Sequence, residues 1–384
     1  RLRQLKSLGC NAYRASHNPM TPATLDMCDS LGLLVIDEQR LSGVNAEHLR
    51  LLSSLIRRDR NHPSIMFWSL GNETGHGKCF INARDAVKGI DPTRPVHWER
   101  GNPDADVDSR MYPTVEWLYE RGRLGDEAAD PADKNKTDNG QSRGKPFFMC
   151  EYAHAMGNAI GNFEEYWDAF YSSESLLGGC IWDWVDQALI KYTGRYDKDG
   201  KPEWVYAFGA DYDERPNSGN FCCNGVIRPD REVTAKLIEV GHVYRQIAVS
   251  IKDASSGTAE VWNRFSFTDT KAFDASWSLV EDGVEVASGV WDVPSVKPLE
   301  KVEVALPSFG YDFKAGKEYF LNVYFKPKNP TIWADRGFVI ASDQLTLVNE
   351  VPAKALGTVF VRPQLTEDEK TVTVIDGAIK VVFC

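Results

Sequence analysis

The sequence of 384 residues predicts an α/β fold over about its first 245 residues and an all-β structure beyond them. Two observations lead to this prediction. Short apolar or β-branched runs alternate with helical patterns in the first part, which is typical of β-α units around a parallel sheet. Short alternating strands separated by Gly and Pro turns follow in the second part, which is typical of a β-sandwich.

Seven candidate strands in the first part end in polar residues. They run over residues 11–17, 33–38, 65–73, 96–99, 107–112, 147–151 and 179–184. Helical patterns lie between them, such as the one ending at Leu31, where Thr21 can cap the helix and Pro22 can occupy its first turn. Because a (β/α)8 barrel alternates strands and helices in this way, seven strands predict a TIM barrel that lacks its first strand. We assign residues 1–245 to this domain, incomplete at its N-terminus.

The rest of the sequence has the period of two that is typical of strands. The segments 259–265 and 317–325 alternate in this way, and we predict an immunoglobulin-like sandwich over residues 246–335. Residues 336–384 are predicted to begin a further β domain. The chain starts inside a helical pattern and stops inside a strand pattern, so we expect the natural protein to continue at both ends, with any targeting signal outside this sequence.

The composition argues against several classes of function. The formal net charge of −11 predicts no nucleic-acid partner, because such binding depends on Lys and Arg neutralising phosphates. No apolar run approaches the roughly 18 residues of a membrane-spanning helix, so we predict a soluble protein of the cytoplasm or periplasm with no membrane partner. The eight cysteines lack the C-x-x-C spacing of zinc sites, which favours free thiols.

Two glutamates close apolar strand candidates. Glu73 follows the apolar run 64–70, and Glu151 follows the run 147–150. Because the active site of a (β/α)8 barrel lies at the C-terminal ends of the strands, we expect both carboxylates at one mouth. Two carboxyl groups across a pocket are what glycosidic cleavage requires: one protonates the leaving oxygen, and the other attacks the anomeric carbon or activates a water molecule.

Four motifs around these glutamates occur in a specific order. They are NHPS with WSLGNE at residues 61–73, EYAHAMGN at 151–158, GGCIWDWVDQ at 178–187 and FCCNG at 221–225. On these motifs the chain resembles glycoside hydrolase family 2, and within it the large bacterial β-galactosidases, over nearly all of its length. The resemblance implies that the final segment begins a β domain like the C-terminal small-chain domain of those enzymes.

The resemblance implies an activity and a mechanism. A retaining glycosidase of this kind cleaves terminal non-reducing β-D-galactose from β-galactosides such as lactose by double displacement. Glu73 would act as general acid and then base, and Glu151 as the nucleophile that forms a covalent galactosyl ester. Arg14 at the end of the second barrel strand would stabilise the nucleophile's negative charge, and Tyr112 would donate a hydrogen bond to the nucleophile.

The resemblance also assigns the residues that bind the sugar. Contacts with sugar hydroxyls fall to His17, Asn72, His154 and Asn224, and the aromatic platform on which the sugar stacks is Trp182. Asn72 stands next to the predicted acid/base, where it would contact the 2-hydroxyl, and that contact strengthens in an oxocarbenium-like transition state.

Metal binding is where the sequence departs from the family pattern. The relatives hold Mg²⁺ with the acid/base glutamate, here Glu73, and a Glu-x-His shortly after the third strand. The segment QRLSG at 39–43 follows the third strand here and contains neither ligand, so the sequence speaks against Mg²⁺. The resemblance favours a monovalent cation, Na⁺ or K⁺, held by the backbone oxygen of Phe221 and the side chain of Asn224.

Two other functions remain open at this stage. Another activity of the same family, β-glucuronidase or β-mannosidase, would use both glutamates. A β-glucuronidase is expected to carry a basic carboxylate-binding motif beside the eighth strand, and we find none there. The chain could also be an inactive carbohydrate-binding fragment. We expect a galactoside substrate, and the family pattern predicts that the parent protein forms homo-oligomers.

Overall fold

The computed structural model describes residues 2–39, 45–75, 77–127, 142–253, 257–348, 363–368, 370–376 and 379–383. The first part of these residues alternates strands with helices, as predicted. Its seven strands are β1 (Ala12–Arg14), β2 (Leu34–Glu38), β3 (Ile65–Ser69), β4 (Val96–His97), β5 (Asp108–Met111), β6 (Phe147–Tyr152) and β7 (Leu176–Ile181). Its helices are α1 (Leu2–Ser7), α2 (Pro22–Leu31), α3 (Ala46–Asp59), α4 (Lys78–Ile90), α5 (Val115–Gly125), α6 (Phe163–Tyr171) and α7 (Ala235–Val243).

Local sequence accounts for the ends of α2. The hydroxyl of Thr21 accepts the backbone N–H of Thr24 at 3.2 Å, which satisfies one of the free donors of the first turn. Pro22 fits the first helical position, where no N–H is required. Gly32 ends the helix in the left-handed conformation at φ 65°, which costs glycine little. The helix predicted for this segment is therefore confirmed.

The seven strands form two parallel sheets, in the orders β1-β2-β3-β4 and β5-β6-β7. Every residue of β6 is buried, as expected for a parallel strand covered on both faces. Both sheets contribute to one interior, where Ile36 and Phe67 from the first sheet pack with Phe148 and Cys150 from the second. The residues that follow these strands therefore meet at a common end.

An opening separates the outer strands of the two sheets. Among the described residues, β1 pairs only with β2, and β7 pairs only with β6. A cavity of about 760 Å³ lies between β1 and β7 and is lined by residues of both strands, including Tyr13 and Cys180. The edges of β1 and β7 thus face each other across this cavity without backbone hydrogen bonds between the two strands.

The strands are shorter than the sequence patterns predict. The pattern assigned to 65–73 ends as a strand at Ser69, because Gly71 has φ 151° and Glu73 has φ 49°. A non-glycine residue with a positive φ seldom continues a β-strand, so the chain turns at this point. The strand β7 is also shorter than its pattern: it ends at Ile181, although the pattern continues to Trp184. Glu73 and Trp182 consequently lie on the segments that follow their strands, whereas Arg14 and Glu151 lie within β1 and β6.

A β-hairpin that the sequence analysis does not predict follows β7. Its strands, β8 (Leu189–Tyr196) and β9 (Pro202–Ala207), are antiparallel. All residues of β8 are exposed, so this hairpin stands away from the core. The chain then returns through the FCCNG segment to α7.

Antiparallel sheets make up the second part of the chain. One sheet has the order β10-β11-β14 and the other β13-β12-β15-β16. Their bounds are β10 (Ile247–Asp253), β11 (Thr258–Asn263), β12 (Phe273–Glu281), β13 (Val284–Trp291), β14 (Lys301–Ala305), β15 (Tyr319–Pro327) and β16 (Ala341–Val348). Both sheets bury alternate residues in one apolar cluster, in which Val261 from the first sheet and Leu279 and Leu321 from the second are fully buried.

One predicted boundary requires correction. The sequence analysis ends the predicted sandwich at residue 335, whereas the sheet that contains β15 continues to β16, since β16 pairs antiparallel with β15 along its length. A period of two shows that a segment is a strand but not which strand it pairs with, so the boundary could not be read from the pattern. The last described strands, β17 (Gln364–Glu367), β18 (Val372–Asp376) and β19 (Ile379–Phe383), form a separate antiparallel sheet.

Candidate active site

Glu151 lies near the C-terminal end of β6 with its carboxylate held by two donors. Arg14 Nη1 donates to Glu151 Oε1 at 3.0 Å, and the Tyr112 hydroxyl donates to Glu151 Oε2 at 3.1 Å. The Glu151 residue is 6% exposed. Because the two donors bind different oxygens, they hold the carboxylate of Glu151 in one orientation.

Arg14 connects four different groups at this end of the strands. Besides Glu151 it donates to Glu38 from Nε at 3.1 Å and from Nη2 at 2.7 Å, to Asn72 Oδ1 at 2.9 Å and to the backbone oxygen of Cys150 at 3.1 Å. Burial acts to lower the pKa of Arg14, but the surrounding negative charges, of which that of Glu38 is the largest, together with the hydrogen bond to Glu38 outweigh burial and raise it. Arg14 is therefore a permanent cation that joins β1 to the ends of β2, β3 and β6.

Glu38 is a residue of this network that the sequence analysis did not include among the site residues. Its side chain is fully buried, and it accepts hydrogen bonds from His17 Nδ1 at 2.7 Å and Ser69 Oγ at 2.8 Å in addition to those from Arg14. Burial acts to raise its pKa, but the hydrogen bond from His17 and the charge of Arg14 outweigh burial and hold its pKa at about 2. The position of Glu38 at the end of an apolar strand candidate is the sequence feature that could have indicated it as a site residue.

Glu73 stands on the turn that follows β3. Its residue is exposed, and its backbone is in the left-handed region at φ 49°. Asn72, the residue before it, is fixed by the hydrogen bond from Arg14. The same guanidinium thus holds the nucleophile candidate and the turn that carries the acid/base candidate.

Glu99 is a third acidic residue at this end, and it also escaped the sequence analysis as a site residue. The residue is 6% exposed. Burial raises the pKa of Glu99; the charge of Arg100 opposes this effect, and the negative charges of Glu73 and Glu151 add to it. Because Glu99 feels the charges of both Glu73 and Glu151, the two candidate catalytic carboxylates converge on the same side of the molecule.

Aromatic side chains form the rim of the site. Trp182 follows β7 and stacks on His17 with ring centroids 5.1 Å apart and planes at 16°. His154 lies between Tyr112 and Phe221, with ring centroids 5.9 Å and 5.8 Å from theirs. Since Tyr112 and His17 lie against Glu151, these contacts bring the predicted aromatic and histidine residues together beside Glu151.

Asn224 reaches this rim from the FCCNG segment. It is 2% exposed, and its backbone oxygen accepts the N–H of Asp183 at 2.8 Å. Its Nδ2 donates to the backbone oxygen of Phe221 at 3.3 Å, while its Oδ1 is buried without a hydrogen-bond partner among the described residues. A buried oxygen of this kind beside a carbonyl oxygen is a donor set that fits a hard cation.

Comparison with known proteins decides the family. Residues 2–51 and 42–249 match the model for "Glycosyl hydrolases family 2, TIM barrel domain", and residues 259–348 match the model for "Beta-galactosidase, domain 4". The chain belongs to glycoside hydrolase family 2. The resemblance stated from the motifs is thereby confirmed.

Curated relatives of this family-2 chain carry the name β-galactosidase. The chain is 36% identical to the "Beta-galactosidase" of Photobacterium profundum over 96% of its own length and 37% of that protein. It is 35% identical to the "Beta-galactosidase" of Vibrio vulnificus, again over 96% of its length and 36% of that protein. The chain thus spans little more than a third of the length of these relatives.

Solved structures of family-2 enzymes also resemble the chain. A β-galacturonidase from Eisenbergiella tayi bound to galacturonate aligns with a TM-score of 0.46 at 21% identity, over 64% of this chain and 47% of the other. Bacteroides uniformis β-glucuronidase 2, covalently bound to a cyclophellitol-derived aziridine, aligns with a TM-score of 0.45 at 15% identity, over 90% of this chain and 42% of the other.

The prediction about magnesium concerns the segment 39–43, which follows the strand β2. Residues 40–44, which include most of the segment expected to carry Glu-x-His, lie outside the described residues. Glu38, just before that segment, is committed to Arg14, His17 and Ser69. The prediction that this segment holds no Mg²⁺ therefore concerns residues that are mostly outside the described ones, and it stays a prediction.

A group of metal-ligand type occurs elsewhere in the described chain. Asp26, Asp29 and His62 lie close together at the opposite ends of the strands. His62 Nδ1 is 2.7 Å from Asp29 Oδ2, and the other oxygen of Asp29 accepts the N–H of Ser64 at 2.9 Å. These polar atoms satisfy one another as a structural contact.

No helix in the described ranges is long and apolar enough to cross a membrane.

Proposed function

We propose that this chain is the catalytic part of a retaining β-galactosidase that removes terminal non-reducing β-D-galactose from β-galactosides such as lactose. One observation carries the proposal: Glu151 is held by Arg14 and Tyr112 at the same strand ends as Glu73. An ionised carboxylate fixed by two donors suits a nucleophile, and a carboxyl group on an exposed turn suits a proton donor to a departing alcohol.

The first step forms a covalent intermediate. Glu73 gives its proton to the glycosidic oxygen while Glu151 attacks the anomeric carbon, and the bond to the leaving group breaks. The aglycone departs as a neutral alcohol, and Glu151 becomes a galactosyl ester. In the second step the Glu73 carboxylate removes a proton from a water molecule, which attacks the same carbon and releases Glu151. Two inversions leave the configuration of the sugar unchanged.

The neighbours of Glu151 suit both steps. Arg14 and Tyr112 donate to different oxygens of its carboxylate, so they would hold it in one orientation before attack. One oxygen becomes part of the ester, and its charge is lost. When the ester breaks, these donors stabilise the carboxylate that forms again, which makes Glu151 a better leaving group.

Sugar binding is proposed for the residues around this pair. The Oδ1 atom of Asn72 is occupied by Arg14, so its amide N–H groups are left to donate to a sugar hydroxyl. His17 uses Nδ1 on Glu38, and its Nε2 lies 3.8 Å from Glu151, towards the reacting carbon. His154 and Trp182 lie on the rim, where an imidazole contacts hydroxyls and an indole face takes the apolar face of the sugar.

The proposal includes a closed barrel and a cation. An eighth strand between β1 and β7 would satisfy both unpaired strand edges and fill the cavity of about 760 Å³, and the antiparallel sheets beyond residue 246 would be an immunoglobulin-like sandwich. The Oδ1 of Asn224 and the backbone oxygen of Phe221 would hold Na⁺ or K⁺, which would supply a fixed positive charge for a sugar oxygen.

The test compares substrates and variants of the natural full-length protein. We expect hydrolysis of p-nitrophenyl β-D-galactoside to exceed that of the β-glucuronide and the β-mannoside. Glu73→Gln and Glu151→Gln should each lower the rate at least about 100-fold on substrates that need acid assistance. The control Glu47→Gln changes an exposed glutamate that pairs with Arg50, and it should leave the rate unchanged.

The outcomes separate substrate from mechanism. Proton NMR of the first-formed sugar should show the β-anomer, and the α-anomer would contradict retention. Preference for the glucuronide or mannoside would overturn the substrate assignment and keep the two glutamates. Turnover that survives Glu151→Gln would overturn the assignment of the nucleophile.

A further inference from the structure

The two oxygens of the Glu38 carboxylate bind different neighbours of Glu151. Oε2 accepts from Arg14 Nε at 3.1 Å, from Arg14 Nη2 at 2.7 Å and from Ser69 Oγ at 2.8 Å. Among the described residues, the partner of Oε1 is His17 Nδ1, at 2.7 Å. The side chain of Glu38 is fully buried, so water does not compete for these contacts. Glu38 therefore acts on Arg14 through one oxygen and on His17 through the other.

The contact with Glu38 determines which ring nitrogen of His17 carries a proton. A neutral imidazole has one proton, which can lie on either nitrogen. Burial acts to raise the pKa of Glu38, but the hydrogen bond from His17 and the charge of Arg14 hold it at about 2, so Glu38 is a carboxylate that can only accept. The 2.7 Å contact therefore requires a proton on Nδ1, and Nε2 of the neutral ring is an acceptor.

The Nε2 atom of His17 faces the candidate nucleophile. It lies 3.8 Å from Glu151 Oε1, which is beyond hydrogen-bond distance, and the side chain of His17 is 28% exposed, so a ligand can reach it. The stack on Trp182, with the ring planes 16° apart, holds the imidazole in this orientation. An acceptor at this place can bind a sugar hydroxyl, which donates, but gains no hydrogen bond from a group that only accepts.

We propose that Glu38 is a positioning residue that fixes the proton of His17 on Nδ1, so that Nε2 accepts a hydrogen bond from one hydroxyl of the sugar. At that hydroxyl the site selects for a group that can donate. This inference rests on the proposed function, because it concerns the binding of the glycoside by His17. It adds the residue that acts through His17 and the direction of the hydrogen bond.

Glu38→Gln should reverse the direction of this hydrogen bond. Arg14 has only donors, so the amide oxygen of the glutamine must take the place of Oε2. The amide NH₂ group then takes the place of Oε1 and donates to His17 Nδ1, which moves the proton of the neutral ring to Nε2. Nε2 becomes a donor, so the site should tolerate fluorine at that hydroxyl, because fluorine accepts weakly and cannot donate.

Fluorinated 2,4-dinitrophenyl β-D-galactosides measure this direction in the full-length protein. Each carries fluorine in place of one hydroxyl, at carbon 2, 3, 4 or 6, and release of dinitrophenolate in the first turnover reports the first step. The fluorine penalty is the rate of this step with the parent substrate divided by the rate with the fluorinated one. Inductive effects of fluorine cancel when the same penalty is compared between two proteins. In Glu38→Gln, one penalty should be about 10-fold smaller than in the unmodified protein, and the other three should change less than about 3-fold.

His17→Phe tests whether Glu38 acts through His17. Phenylalanine keeps a ring that can stack on Trp182 but has no nitrogen, so the penalty should fall at the same carbon as in Glu38→Gln. Adding Glu38→Gln to His17→Phe should then change no penalty by more than about 3-fold. Since His17→Phe leaves Glu38 in place, it also decides the matter if Glu38→Gln does not fold: a penalty that falls at none of the four carbons would overturn the proposal.

Asp91→Asn is the matched control, because it also turns a buried acid into an amide. Asp91 is 5% exposed and accepts from Trp68, Thr93 and Arg94 at the end of α4. The variant should lower the melting temperature and change none of the four penalties. In Glu38→Gln, four unchanged penalties, or four that change equally, would overturn the role of Glu38 and leave the proposed function standing. Absence of galactosidase activity in the unmodified protein would overturn the proposed function and this inference with it.

Discussion

Replacement of Arg14 by methionine tests the buried charge network at the centre of the site. Arg14 and Glu38 have side chains that are 2% and 0% exposed, and the two residues share two hydrogen bonds. Methionine keeps much of the volume of the arginine stem but supplies no charge and no donor. Glu38 would then keep only His17 and Ser69 as described donors. A buried carboxylate would lose its main counterion.

The expected cost follows from this geometry. Removing one partner of a buried ion pair typically costs about 3–5 kcal/mol, because the other charge remains in a medium of low polarity. Since His17 and Ser69 still donate to Glu38, we expect a loss of about 3 kcal/mol for Arg14→Met at neutral pH. Adding Glu38→Gln removes the uncompensated charge, so the double variant should recover about half of that loss.

The pH dependence has a defined sign. In the unmodified protein the pKa of Glu38 lies near 2, below its ordinary value of 4.5, so its stabilising contribution is present above pH 4.5 and is lost as pH falls towards 2. Without the charge and the hydrogen bonds of Arg14, we expect the pKa of Glu38 to rise from this low value. The deficit of the Arg14→Met variant should therefore be largest at neutral pH and should shrink as pH falls and Glu38 takes up a proton.

Urea unfolding followed by far-UV circular dichroism measures the effect. The described helices α1 to α7 all precede residue 244, so the helical signal reports the part with the parallel sheets and not the antiparallel sheets beyond it. Arg50→Met is the control, because Arg50 forms an exposed pair with Glu47, and its replacement should leave the midpoint unchanged. A loss below about 1 kcal/mol for Arg14→Met, or a deficit that grows as pH falls, would refute the reasoning.

Three further predictions concern the nucleophile, a tight turn and a buried acid. Tyr112→Phe removes the 3.1 Å hydrogen bond to Glu151 and should lower kcat about 10- to 100-fold in steady-state assays; a change under 2-fold would contradict the role. Gly225→Ala should lower the melting temperature, since a Cβ would lie 2.1 Å from a backbone nitrogen, whereas Gly161→Ala, with nothing within 4 Å, should not. Burial raises the pKa of Asp37; a backbone hydrogen bond opposes this effect, and the negative charge of Asp59 adds to it. The free energy of unfolding should therefore fall as pH rises above 3.8, and it should fall less steeply in Asp37→Asn. Equal slopes for the two proteins in urea titrations would refute this.

Polar residues at strand ends could be found from the sequence because their chemistry is local. Glu73 and Glu151 each follow an apolar run, and parallel strands bring their C-terminal ends to one side of the molecule. Arg14 and Tyr112 could be found in the same way, and in the structure both donate hydrogen bonds to Glu151. The motifs then supplied roles that the strand pattern alone could not give.

The partners of these residues could not be predicted in the same way. Glu38 and Glu99 both close strand candidates, yet nothing local shows that Glu38 would bind Arg14, which is 24 residues away in sequence. Glu99 contacts a turn whose left-handed residue, Glu73, is not glycine, so the turn leaves no sequence signal. The pairing of β16 with β15 likewise depends on the tertiary structure, and the hairpin β8–β9 leaves little apolar pattern because β8 and most of β9 are exposed.

Arg14 connects the surroundings of both candidate catalytic glutamates. It donates to Glu151 directly and to Asn72 beside Glu73, so one guanidinium contacts both halves of the proposed site. Loss of Arg14 should therefore slow the cleavage of substrates with every kind of leaving group, because the proposed attack by Glu151 is itself impaired. If Arg14→Met slowed only the substrates whose leaving group needs a proton, the assignment of Arg14 to the support of the nucleophile would be wrong.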